Sequence, residues 1–203
     1  MDPVVLLLFA TVAWASLVLF FWRARAWLPY YILGASGAAV LIVVISREVI
    51  PAELWLRVLT AYSVHGIAGL VGLSTTLAQE PGTLMVIGVP HHQEWTNLTV
   101  GLESSGLLES AALFGLLAFF PTGNAQSRAV TLAIALAASF GANVLRVLII
   151  VAVVSFAGQG SLDFAHIFLG RIAFFFMAMV IFWFAITRPT LRIVGDRIRG
   201  VHA

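Results

Sequence analysis

Apolar residues run through this chain in stretches of about twenty, enough to cross a bilayer core as a helix, and polar residues gather in the gaps. Six runs stand out, at about 3–22, 27–46, 56–78, 104–120, 129–156 and 164–187. The pattern predicts an all-α integral membrane protein of about six transmembrane helices, a single polytopic domain over residues 1–203. The third run is the weakest, because Thr60, Tyr62, Ser63, His65, Ser74, Thr75 and Thr76 thin its apolar character. A broken or re-entrant segment is the alternative there. Only the stretch at about 80–103 lacks a helical period. In it, Thr83–Val89 and Trp95–Val100 have strand character on either side of Pro90, His91, His92, Gln93 and Glu94, so the stretch reads as a short β-hairpin-like segment.

Composition agrees with the pattern. Of 203 residues, 61% are hydrophobic and 10% charged, with a mean hydropathy of +1.03, far from the balance of soluble domains. A net charge of +2 gives no reason to expect a nucleic-acid partner; the partner that composition implies is the lipid bilayer. All 11 basic residues are Arg, and basic residues favour the cytoplasmic side. Arg188, Arg192, Arg197 and Arg199 therefore place the carboxyl terminus inside. Counting back through six crossings puts Arg128, Arg57 and Arg47 inside as well, with Arg23 and Arg25 outside. The stretch at about 80–103 and the loop at 157–163 then lie on the extracytoplasmic face. No basic region precedes the first apolar run, which reads as a retained helix. The chain has no cysteine, hence no disulfide framework.

The placement that most demands an explanation is Arg146, inside Ala142-Asn-Val-Leu-Arg-Val-Leu-Ile-Ile-Val151. A charge in an apolar run is a functional-site hypothesis by default. Asn143, three residues earlier, shares its helical face. The bland reading ties Arg146 to Glu103, Glu109 or a helix carbonyl; the functional one aims its donors at a substrate carbonyl or a developing oxyanion. His166 lies one turn after Asp163, whose carboxylate can orient an imidazole. Arg171 lies deeper in the same run, with Glu109 as one candidate partner. Ser104 and Ser105 open the fourth run and, taken alone, read as helix caps. His91, His92 and Glu94 read as a polar hairpin tip rather than a metal site, and His65 as a packed or hydrogen-bonded residue. Gly34, Gly37 and Ala38 suit close helix contacts, within or between chains.

Together, Ser104-Ser-Gly-Leu107 at a helix start, Asn143-Val-Leu-Arg146 in the next run, and His166 followed by Gly170 resemble the exosortase and archaeosortase family of membrane transpeptidases. The resemblance covers about 80–187, the catalytic-like core. It implies a nucleophile at Ser104, where the family carries cysteine, an oxyanion-stabilising Arg146 and an acid–base His166, with Glu103, Gly106, Asn143, Asp163 and Gly170 supporting them. It implies no cofactor and no metal. Ser104 is a departure, because a hydroxyl ionises far less readily than a thiol. We read it as the replacement of a parental cysteine that disarms the site, with a natural variant of altered chemistry as the alternative. The implied substrates are exported membrane-anchored proteins whose carboxyl-terminal sorting signal combines a short motif, a transmembrane helix and a basic cluster. The implied location is the cytoplasmic membrane of a prokaryote, with the active site facing outward. Rival readings are a small polytopic transporter, which the missing internal repeat disfavours, and a noncatalytic scaffold that binds sorting tails.

Overall fold

The computed structural model describes residues 3–80, 84–91, 94–120 and 125–191. Its elements follow in the order α1 (Pro3–Arg23), α2 (Trp27–Glu48), α3 (Ala52–Leu70), β1 (Thr76–Glu80), β2 (Leu84–His91), β3 (Glu94–Val100), α4 (Leu102–Ser105), α5 (Leu107–Ala118), α6 (Ala125–Ala157) and α7 (Gly170–Phe182). A 3₁₀ turn, Gln159–Ser161, and a π turn, Phe164–Leu169, lead into α7, and a second π turn, Trp183–Thr187, follows it.

Among the described residues, four helical stretches are long and apolar enough to cross a membrane: Val5–Arg23, Trp27–Glu48, Gln126–Ala157 and Gln159–Leu191. They match four of the six expected runs. The other two runs differ from expectation for local reasons. The third ends as helix at Leu70, where Gly72 takes a left-handed φ of 79°. The polar residues after it enter a strand, so β1 occupies what reads in sequence as the end of a membrane run. The fourth run is cut at Gly106, whose φ is 75°. It yields the one-turn α4 and a 12-residue α5, which at about 1.5 Å per residue is far shorter than a bilayer core.

The expected hairpin is accordingly the greater part of a three-stranded antiparallel sheet, β1-β2-β3. β2 pairs on both sides, with Val86 opposite Ala78 in β1 and Thr99 in β3. As the central strand it is buried without alternation from Met85 to Val89, whereas β3 alternates, burying Thr96, Leu98 and Val100. The sheet packs on α3 and on the last turns of α6: Ile87, Val89 and Leu98 join Val64, Val151 and Val154 in one core. His91 Nδ1 lies 2.9 Å from the Ser155 carbonyl oxygen and pins the sheet to the end of α6. Gly158 leaves room for it, since a Cβ there would come within 2.9 Å of the imidazole.

Small residues close the rest of the bundle. A Cβ on Gly115 of α5 would run into the Ala35 carbonyl of α2; one on Gly34 would meet Phe119, and one on Gly37 would meet Trp14. Trp14 Nε1 donates to the Leu33 carbonyl at 2.9 Å, joining α1 to α2. Gly34 and Gly37 therefore serve contacts within the chain. At the ends remote from the sheet, Glu53 bridges Arg47 and Arg57 at the α2–α3 corner. Arg128 donates to the Phe120 carbonyl at 3.0 Å, just beyond the end of α5.

Candidate functional site

The sheet delivers the site. β3 ends at Val100, Gly101 turns the chain, and α4 lies against α3 and α6 before Gly106 reverses the backbone into α5. Two adjacent serines share that turn and have different tasks. Ser105 Oγ donates to the Leu102 carbonyl at 2.8 Å and accepts the Leu107 N–H at 3.2 Å, bracing the break between the two helices. The capping role expected of the pair thus falls to Ser105.

Ser104 faces α6 instead. Its carbonyl accepts Asn143 Nδ2–H at 2.8 Å, and its Oγ lies 3.5 Å from Arg146 Nη2, at the outer limit of a hydrogen bond. Asn143 is fully buried, Ser104 and Arg146 nearly so. The guanidinium also lies over the Phe174 ring of α7, 5.3 Å from its centroid, an arrangement that favours the cation in an apolar setting. With 33 residues, α6 spans about 50 Å, against about 30 Å for a bilayer core. Arg146 sits in the sheet-facing half of this helix, beneath α4. The structure therefore unites Ser104, Gly106, Asn143 and Arg146, from segments about 40 residues apart in sequence.

His166 comes from a third direction. It is half-buried in the π turn Phe164–Leu169, a geometry that often marks functional sites. Among the described residues neither His166 nor Asp163 makes a side-chain hydrogen bond or ion pair, and Asp163 is exposed. Gly170 acts through packing: a Cβ there would come within 3.0 Å of Ile150 Cδ1 and 3.1 Å of the Ala165 carbonyl, so glycine sets the approach of this helix to α6.

The side chain of Glu103 lies outside the described residues. Glu109 Oε2 is buried without a partner among them, and Glu109 forms no ion pair there. It lines a cavity of about 200 Å³ between α5, α6 and α7, together with Ser139 and Phe174. The expected bland role of His65 is what the structure contains, with Nδ1 2.7 Å from Thr75 Oγ1. Of the expected hairpin tip, His91 is engaged by Ser155, Glu94 is exposed, and His92 lies outside the described residues. Phe174, the floor under Arg146, had no signal in the sequence beyond being one aromatic among many in an apolar run.

No curated protein and no solved structure matches the chain. The family model described as transmembrane exosortase matches residues 2–184, nearly the whole chain, a range that contains Ser104, Gly106, Asn143 and Arg146. The chain therefore belongs to the transmembrane exosortase family.

Proposed function

We propose that this protein is an exosortase-type membrane peptidase or transpeptidase acting on the carboxyl-terminal sorting signals of exported proteins, and that Ser104 leaves it disarmed in its present form. The observation that carries the reading is the buried contact between Arg146 Nη2 and Ser104 Oγ, 3.5 Å apart on separate elements. An apolar bundle has no packing need for a guanidinium there, and burying one is costly unless it is matched to a partner. A donor fork beside the nucleophile position is what a tetrahedral oxyanion requires.

In the Ser104→Cys form, the thiolate attacks the peptide carbonyl, a thioester forms, and the C–N bond breaks. Arg146 steadies the oxyanion, and His166 gives a proton to the departing amine. An acceptor nucleophile or water, deprotonated by the same imidazole, then releases the acyl group and regenerates the thiol. A serine hydroxyl at position 104 has no hydrogen-bonded base among the described residues, so it remains the neutral, weak form of the nucleophile. The same observation favours a second reading, a scaffold that binds sorting tails and does not cleave them.

Arg47, Arg57, Arg128 and Arg188 lie at helix ends remote from the sheet. Their placement supports an orientation with the site facing outward and the carboxyl terminus in the cytoplasm of a prokaryote. The test is mass spectrometry of a tail-bearing membrane protein co-expressed with the protein as it stands and with Ser104→Cys. A new carboxyl terminus made only by the cysteine form supports the disarmed enzyme. Cleavage by the serine form makes Ser104 a working nucleophile, and an intact tail with both supports the scaffold.

A further inference from the structure

The contact between Asn143 and α4 carries an inference that rests on reading position 104 as the nucleophile position. Asn143 is 0% exposed, and its amide orientation is fixed by chemistry: the Ser104 carbonyl can only accept, so Nδ2 must face it, at 2.8 Å. Oδ1 is then left buried with no partner among the described residues. A buried carbonyl without a donor costs stability. As a means of joining α4 to α6, this amide is therefore a poor one, and its value lies in what it places.

What it places is a turn with little stability of its own. α4 has four residues, and a single helical turn is not self-supporting. It carries two adjacent serines, and neighbouring residues on a helix point about 100° apart, so only one can face Arg146. Gly106 belongs to the same device. Its φ is 75°, and a Cβ there would approach Asn143 Nδ2 to 3.3 Å and Cγ to 3.4 Å, so the amide lies against the glycine that breaks the helix.

We propose that Asn143 is a positioning residue whose Nδ2–H···O=C bond to residue 104, backed by Gly106, fixes the register of the α4 turn so that side chain 104, and not side chain 105, is presented to Arg146. The bond acts through the backbone of residue 104 and requires no contact between Asn143 and substrate.

The chain has no cysteine, so Ser104→Cys and, separately, Ser105→Cys each introduce one reporter thiol. The rate of iodoacetamide alkylation, followed by intact mass across pH in the full-length detergent-solubilised protein, gives each thiol's titration midpoint without any substrate. The expected midpoint for Ser104→Cys lies below the ordinary thiol value of about 8.5, because Arg146 stabilises the thiolate. Adding Asn143→Ala moves it upward by about one unit, a roughly tenfold loss of thiolate at pH 7. Arg146→Ala moves it in the same direction. Gly106→Ala, which presses on the same amide without removing it, produces a smaller upward shift. The Ser105→Cys thiol is inert with Asn143 present and becomes reactive with Asn143→Ala.

A merely structural amide would behave differently, since loosening the fold speeds alkylation at every pH and leaves the midpoint in place. The proposal is overturned if Arg146→Ala moves the midpoint while neither Asn143→Ala nor Gly106→Ala does. If Asn143→Ala fails to elute as a folded species, the Gly106→Ala midpoint decides alone. Because no substrate is involved, these outcomes stand apart from whether the cysteine form cleaves sorting tails.

Discussion

The two long helical stretches that frame the site are held in opposite ways. In α6, 44% of the most apolar window is buried inside the protein; in Gln159–Leu191 the figure is 6%. α6 carries Asn143 and Arg146 into the core, where they meet α4, Gly106 and Phe174 of α7. The last stretch carries His166 along the edge of the bundle, with a π turn on either side of α7. Lipid is as apolar as the side chains it touches, so a helix facing mostly lipid is held by packing and a few polar contacts rather than by a hydrophobic drive. Ser104 and Arg146 thus meet on inward-facing elements, while His166, the proposed acid–base group, sits on a stretch with little of its surface packed inside the protein. The difference teaches that, on the proposed reading, the contact that would stabilise charge is held by the core, while the group that would move a proton is held by one helix at the edge of the bundle.

The sharpest way to test that division is to separate activity from stability. In the Ser104→Cys protein, His166→Ala should lower tail cleavage by about 10²- to 10⁴-fold while leaving the thermal midpoint of the detergent-solubilised protein unchanged. A fall in both would show that His166 is architectural and would break the comparison. The next effect is in packing. Ile150→Ala, on the buried face of α6 against Gly170, should cost about 2–5 kcal/mol in a reversible unfolding measurement. Phe175→Ala, at a side chain of α7 that is 59% exposed, should change stability by no more than about 0.5 kcal/mol.

The glycines sharpen the contrast further. Gly115→Ala drives a methyl group into the Ala35 carbonyl, where backbone cannot yield, and overpacking of this kind costs about 1–3 kcal/mol. Gly141→Ala meets nothing within 4 Å and should instead stabilise α6 by up to about 1 kcal/mol through helix propensity. Thermal scans of the two variants side by side should move in opposite directions. A modest effect is expected of Thr75→Val, which removes the bond to His65 and should cost about 1 kcal/mol, with tail cleavage unchanged.

Part of the candidate site is legible in the sequence, because its strongest signals are local. Asn143 and Arg146 share a face by spacing alone, and a charge in an apolar run announces itself. The long stretches α1, α2, α6 and Gln159–Leu191 followed from run length. What escaped was decided by tertiary context. Thr76 to Ala78 read as the tail of a thinning membrane run, and only pairing with β2 makes them part of a strand. The apolar run at 104–120 passes through Gly106 without a hydropathic break, since a positive φ leaves no trace in hydropathy; the separate fates of Ser104 and Ser105 follow from that one residue. Phe174 beneath Arg146 depends on how α7 meets α6, which no periodicity encodes. The close approach of Gly34 to Phe119 and of Gly37 to Trp14 decides in favour of internal contacts what composition leaves open.

The most direct test of the account is to trap the intermediate it requires. The Ser104→Cys protein, reconstituted in liposomes with a tail-bearing substrate, should gain the mass of the substrate's amino-terminal fragment at residue 104, as a thioester released by hydroxylamine. Adding Arg146→Ala should lower that adduct by about 10²- to 10³-fold. An adduct that forms equally well without Arg146, or cleavage that proceeds with no adduct at residue 104, would contradict the central claim that these two buried side chains form one catalytic pair.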